Sequence, residues 1–288
     1  MRPKSLWRHA NFRRLWIAQS LSAFGNRITR TAIPVIAINS LNTSALTVAW
    51  LAAAGWAPLI LAGLFASGFV ERAHKRRLMI AMDLGRFVLI LAIPLLAAFG
   101  QINLMILFAV SILASFAAAL FQSSDNAYLP ALVGTEHVIE GNAKIQTTES
   151  LAEIAGPGIA GLLIDIISAP FAMVADSATF LWSAFWLSRL NLDDLSPAAP
   201  SQPTLPTTEE KAARGPWREL REDLTIGWRA VWRPAPVRAC FLALAIYYVS
   251  AGGFLTLYML LVLRTLHLSP SMAGFVIGFG GVGAFAGA

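Results

Sequence analysis

The stretch NAKIQTTESLAEIAGPGIAGLLIDII, residues 142–167, decides how this chain is to be read. From Leu151 to Ile167 its only charges are Glu153 and Asp165. About 20 mainly apolar residues are enough for a helix to cross the hydrocarbon core of a bilayer. Within the stretch Asn142, Gln146, Glu149, Glu153, Gly156 and Ala160 recur in steps of four, three, four, three and four. That spacing puts them on one helical face, acidic and amide-rich at one end and small at the other. An ionisable side chain at mid-bilayer costs about 2.5–3.5 kcal/mol on insertion scales, so each such group calls for a partner or a purpose.

Working outward, the same apolar pattern repeats. Only 13% of the 288 residues are charged and 57% are hydrophobic, against roughly a quarter charged in a soluble domain. Apolar spans fall near 15–41, 46–70, 78–99, 102–122, 143–167, 170–188, 239–263 and, incompletely, 271–288. The expected fold is all-α and embedded in a membrane. The net charge of +6 is explained by placement rather than by nucleic-acid binding. Arg2, Lys4, Arg8, Arg13 and Arg14 precede the first span, and Arg72, Lys75, Arg76 and Arg77 follow the second. The connectors at 39–45, 100–102 and 168–170 carry no Lys or Arg. By the positive-inside rule the N-terminus faces the cytoplasm, as expected of a multi-pass protein of the cell inner membrane.

Three segments are expected: a six-helix transmembrane bundle at 1–188, a cytoplasmic linker at 189–238, and the start of a second bundle at 239–288. Residues 195–208 carry four prolines among Ser, Thr and Ala, a linker composition. Trp217, Leu220, Leu224, Trp228 and Val231 then recur at helical spacing, which reads as an amphipathic helix at the membrane surface. Short echoes suggest an internal repeat. Ser22-Ala23-Phe24-Gly25 resembles Ser250-Ala251-Gly252-Gly253, and Thr43-Ser44-Ala45 resembles Pro270-Ser271-Met272.

Other polar residues lie inside spans. Gln19, Ser22, Asn26 and Arg30 share a face of span one, beside Arg27. Glu153 and Arg27 lie about 14 and 18 Å into their spans at 1.5 Å per residue, so a pair between them is reasonable, as is a direct substrate or proton role. Asp83 and Arg86, one turn apart, can also pair. Asp125 reads as the end of span four, and Asp165 and Asp176 as end-of-helix charges. Pro157 predicts a kink, with Gly156, Ala160 and Gly161 admitting a close neighbour.

These residues resemble the major facilitator superfamily, in particular its drug and siderophore exporters, which include the enterobactin and macrolide exporters. The resemblance is carried by 127–133 (AYLPALV), by Asn142-Ala143, by 156–163 (GPGIAGLL) and by 176–181 (DSATFL). Phe12-Arg13-Arg14-Leu15-Trp16 matches how that branch commonly begins. The resemblance implies secondary transport by alternating access of two six-helix bundles, with protons and a small-molecule substrate as partners. It implies that Gly156, Pro157 and Gly161 form an antiporter-type motif, which favours export. It implies that Glu71, Arg72, Lys75 and Arg76, with Asp83 and Arg86 beyond them, belong to a gating loop. Ser67, Glu71 and His74 depart from that loop's usual pattern.

In place of the acid that span one commonly carries stands Asn26, followed by Arg27. Glu149 and Glu153 are then the better proton-coupling candidates. Gln19, Asn26, Arg27, Arg30, Gln146, Glu149 and Glu153 are therefore the candidate pathway residues. The Arg27/Arg30 pair further suggests an anionic substrate. Enzyme chemistry is not expected. The chain has no His-Glu-x-x-His, Gly-x-Ser-x-Gly or phosphate-binding Gly-x-x-x-x-Gly-Lys-Ser/Thr, and neither metal nor cofactor is implied. The chain stops inside an apolar segment, which suggests a C-terminal truncation without the second half needed for a complete cavity. The competing expectation is accordingly a non-transporting remnant of such a transporter.

Overall fold

The computed structural model describes residues 6–190, 225, 228, 229 and 231–287. Eight α-helices make up nearly all of this: α1 Ala10–Val35, α2 Ala45–Arg72, α3 Lys75–Ala98, α4 Leu104–Val133, α5 Val138–Ile167, α6 Ala169–Ser188, α7 Ala235–Leu260 and α8 Pro270–Gly287. Among the described residues α3, α4 and α5 are long and apolar enough to cross a membrane by length and composition.

Two compact units emerge. One holds the described residues up to 190 together with 256–287, and the other holds the described residues between 225 and 255. In the first, α1 packs along α5 and α6, α3 along α4 and α6, α2 along α4, and α8 along α5. In the second, Trp228 stacks on Trp232 one turn away with centroids 4.5 Å apart, and Trp232 meets Phe241 edge-on. The proline-rich linker and most of the expected amphipathic helix lie outside the described residues.

Local chemistry sets the helix ends. Asn103 caps α4, its side chain accepting from the Ile106 amide at 3.0 Å. Ser44 caps α2 through the Thr47 amide at 3.2 Å, and Ser269 caps α8 through the Met272 amide at 3.4 Å. The two serines belong to a repeated device. After α1 the chain makes a π-turn at Ile36–Ser40, and a second π-turn, Leu261–Thr265, follows α7. Asn42 and His267 then occupy matching left-handed positions, φ 49° and 50°. The Thr43 amide reaches the Ala37 carbonyl as the Leu268 amide reaches that of Val262. The internal repeat is therefore present in the backbone, but in another register than the sequence echo suggests. Ser44 corresponds to Ser269, not Ser271, because the shared turn geometry rather than side-chain identity defines the match.

One further expectation changes. Helix α4 runs on to Val133, so Asp125 lies well inside it and does not end it. Helix α5 is continuous through Pro157. Proline there removes one hydrogen bond, the one the Glu153 carbonyl would accept, while the rest of the ladder and the packing of α8 hold the helix together.

Candidate functional site

The stripe read from residues 142–167 faces α1. Arg27 donates from Nη2 to Glu149 Oε2 at 3.1 Å and from Nη1 to Glu153 Oε2 at 2.6 Å. One turn apart on α5, the two carboxylates flank a single guanidinium. Gly156 makes this arrangement possible: a Cβ there would fall 2.7 Å from Arg27 Cβ, so the arginine stem lies where a side chain is missing. Arg27 is nearly buried, 12% exposed, whereas Glu149 and Glu153 are 41% and 60% exposed. Exposure of the acids limits the stabilisation to about 1 kcal/mol or less. The pairs fix where charge sits more than they hold the fold.

A second polar cluster joins α1, α3 and α6. Arg86 donates to Asn26 Oδ1, stands 3.9 Å from Asp83 and lies over the Phe180 ring at 3.9 Å from its centroid. Asp176 is fully buried and accepts from the Thr29 and Thr179 hydroxyls. Gly25 lets α1 and α6 approach here, since a Cβ on it would collide with Asp176 and Thr179. On α4, Asp125 accepts from Gln19 Nε2 at 2.5 Å. Arg30 places its guanidinium 5.6 Å from the centre of the Trp56 ring.

These groups line one open-sided cavity of about 650 Å³. Gln19, Asn26, Arg27, Arg30, Gln146, Glu149 and Glu153 all contribute to its wall, as do Asp83 and Arg86. Sequence reasoning missed Asp125 and Asp176 as wall residues because each was read as a helix end. A signal was present on α4, where Ser115, Ala118, Gln122 and Asp125 follow a helical period.

The residues grouped with the gating loop are spread out. Asp83 and Arg86 belong to the cavity, whereas Arg76 sits at the far end of α6. Its guanidinium donates to the Leu187 carbonyl at 2.8 Å and to that of Ser188. Arg14 donates to the Arg189 carbonyl at 2.7 Å beside it. Both arginines thereby satisfy carbonyls that the end of a helix leaves open. Lys75 begins α3. Glu71 and Arg72 end α2, and their side chains lie outside the described residues.

The other end of the stripe is a seam. Gly161 admits the backbone of Pro270 and Ser271, and Gly158 admits the Phe275 ring. Gly274 and Gly278 of α8 lie against the carbonyls of Pro157 and Ile154. Small residues on both helices bring the backbones together, the usual mode of helix association in lipid. Asp165, expected to be an end-of-helix charge, accepts from the Ser271 amide at 3.1 Å and so helps to cap α8. Among the described residues no cluster of three or more His, Cys, Asp or Glu is arranged to hold a metal ion.

An all-helical membrane protein with a charged cavity among its helices is the class that fold and site together define. The sequence model of the Major Facilitator Superfamily matches residues 15–288, and the chain belongs to that family. It is also 30% identical over 174 residues to a multidrug efflux pump, Tap, of Mycolicibacterium fortuitum. That match covers 59% of this chain and 42% of the relative.

Proposed function

We propose that this chain carries the substrate-handling bundle of a secondary active exporter, which moves a small molecule outward in exchange for protons by alternating access. The observation that carries the reading is the cavity of about 650 Å³ whose wall gathers ionisable groups from α1, α3, α4, α5 and α6. Ionisable groups within membrane-spanning helices are rare and mark substrate or ion paths. The family and the efflux relative support the same direction.

We assign the proton to the Glu149/Glu153 pair. Glu149 and Glu153 share Arg27, so protonating either one leaves the guanidinium held by the other. Such a site changes charge without losing its cation, and its two protonation states would bias α5 differently against α1. At the opposite end of the bundle, Arg264 donates to the Thr43 carbonyl at 2.6 Å, and the two π-turns share an apolar cluster. Contact there supports a state closed on that side, which is the outer side if the N-terminus is cytoplasmic. The glycine seam between α5 and α8 holds the two helices backbone to backbone, so such a closure would carry them as one body.

Proton-linked efflux of a fluorescent substrate by the full-length protein tests the reading. Glu153→Gln should uncouple efflux from the proton gradient, and full retention of coupled efflux would refute the assignment of Glu153.

A further inference from the structure

The arginines at the far end of α6 form a charged patch away from the cavity, whose wall includes none of them. Arg76 bonds the carbonyls of Leu187 and Ser188, and Arg14 bonds that of Arg189. Arg189 adds a third guanidinium, 4.9 Å from the centre of the Phe185 ring. The carbonyl end of a helix carries only about half a negative charge, so three cations leave the patch strongly positive. Among the described residues none of the three forms an ion pair with a carboxylate. Arg189 is exposed. Glu71, Asp193 and Asp194 stand close by in the sequence, and their side chains lie outside the described residues.

From this patch an exposed aromatic face runs back along α6. Trp182 and Trp186, one turn apart, meet edge-on at 5.8 Å, and Phe185 meets Trp186 at 5.9 Å. Trp182 is 41% exposed and Phe185 49%. Trp182 Nε1 donates to the Ile17 carbonyl at 3.3 Å, which holds the indole against α1. Such rings favour the level at which lipid headgroups meet acyl chains. A soluble anion would need the arginines alone, whereas rings beside them suit a headgroup that carries chains.

We propose that this face of α1 and α6 binds an anionic phospholipid, with its phosphodiester on Arg14 and Arg189 and its acyl chains along Trp182 and Phe185. Guanidinium groups hold phosphate through charge-assisted hydrogen bonds in a fixed fork. Each basic residue near a membrane surface favours an anionic lipid by about fivefold. The proposal is independent of what the cavity carries.

Quenching of tryptophan fluorescence by brominated lipids tests it, because two of the reporting rings belong to the site. The full chain would be placed in phosphatidylcholine vesicles holding brominated phosphatidylglycerol or, in parallel, brominated phosphatidylcholine at the same mole fraction. Phosphatidylglycerol is expected to be preferred about tenfold, Arg189→Gln to cut that to about twofold, and Arg189→Lys to retain it. Trp182→Phe, which keeps a ring but removes a reporter, should shrink the excess quenching. Absence of a preference in the unsubstituted chain overturns the proposal. So does an equal loss in Arg13→Gln, an exposed arginine bonded to Trp7 instead, which would assign the preference to diffuse surface charge. Inorganic phosphate that abolishes the preference, where chloride at equal ionic strength does not, assigns the arginines to a soluble anion. A preference that appears only when Glu71, Asp193 and Asp194 are replaced by their amides assigns them to the chain's own acids. Either result overturns the lipid site as well.

Discussion

Helix α5 works through two regions that use opposite means. Toward its N-terminus it presents Glu149 and Glu153 to Arg27, and position is set by charge. Toward its C-terminus it presents Gly158 and Gly161 to α8, and position is set by missing side chains. The charged region tolerates movement, because ions attract over several ångströms and the acids are partly open. The glycine region does not, because backbone atoms already touch. Gly156 stands between them and serves the charged region: its space is filled by an arginine stem rather than by a neighbouring backbone.

The sharpest way to break the comparison is to fill the seam. Gly161→Leu should destabilise the protein most, by about 3 kcal/mol, the upper end of overpacking costs, since the obstruction is the Pro270–Ser271 backbone and cannot rotate away. A thermal melt in detergent should show the largest drop of any variant named here. Next comes Gly156→Ala, whose methyl meets a flexible stem; about 1–2 kcal/mol is expected, with Arg27 pushed off its glutamates. Cysteine accessibility of the Glu153 position would report that displacement.

The charged region itself should be softer. A double-mutant cycle between Arg27→Gln and Glu153→Gln should give a coupling of about 1 kcal/mol, because Glu153 is largely exposed. A coupling of several kcal/mol would mean that the charges, and not the glycines, hold α5. Smallest of all, Asp165→Asn should cost only about 0.3–1 kcal/mol in the same melt, as it keeps a capping oxygen and loses only the charge near the α8 N-terminus.

Much of this was legible in advance. The stripe from Asn142 to Ala160 is a periodic pattern, and a helix has only one way to display such a period; hence the Arg27–Glu153 pair followed from depth along two spans. The face occupied by Asp125 was also periodic, but it was hidden by placing the end of its helix too early. Asp176 carried no comparable signal. Its role depends on Gly25 of α1 and the hydroxyls of Thr29 and Thr179 meeting it across two helices, and no spacing within α6 encodes that meeting.

The charges of the cavity wall show the limit most clearly. Arg27 and Arg30 stand close together in the sequence, which reads as a positive site. Folding brings two glutamates to Arg27 and places Arg30 over the Trp56 ring, so the two neighbours end in different surroundings. By itself the sequence determined the helices, their likeness to one transporter family and the face each helix offers, because these follow from composition and period. Only the tertiary structure decided which charges neutralise one another and which glycines make room for a stem or for a backbone. Those outcomes depend on distances between helices, which no local pattern contains.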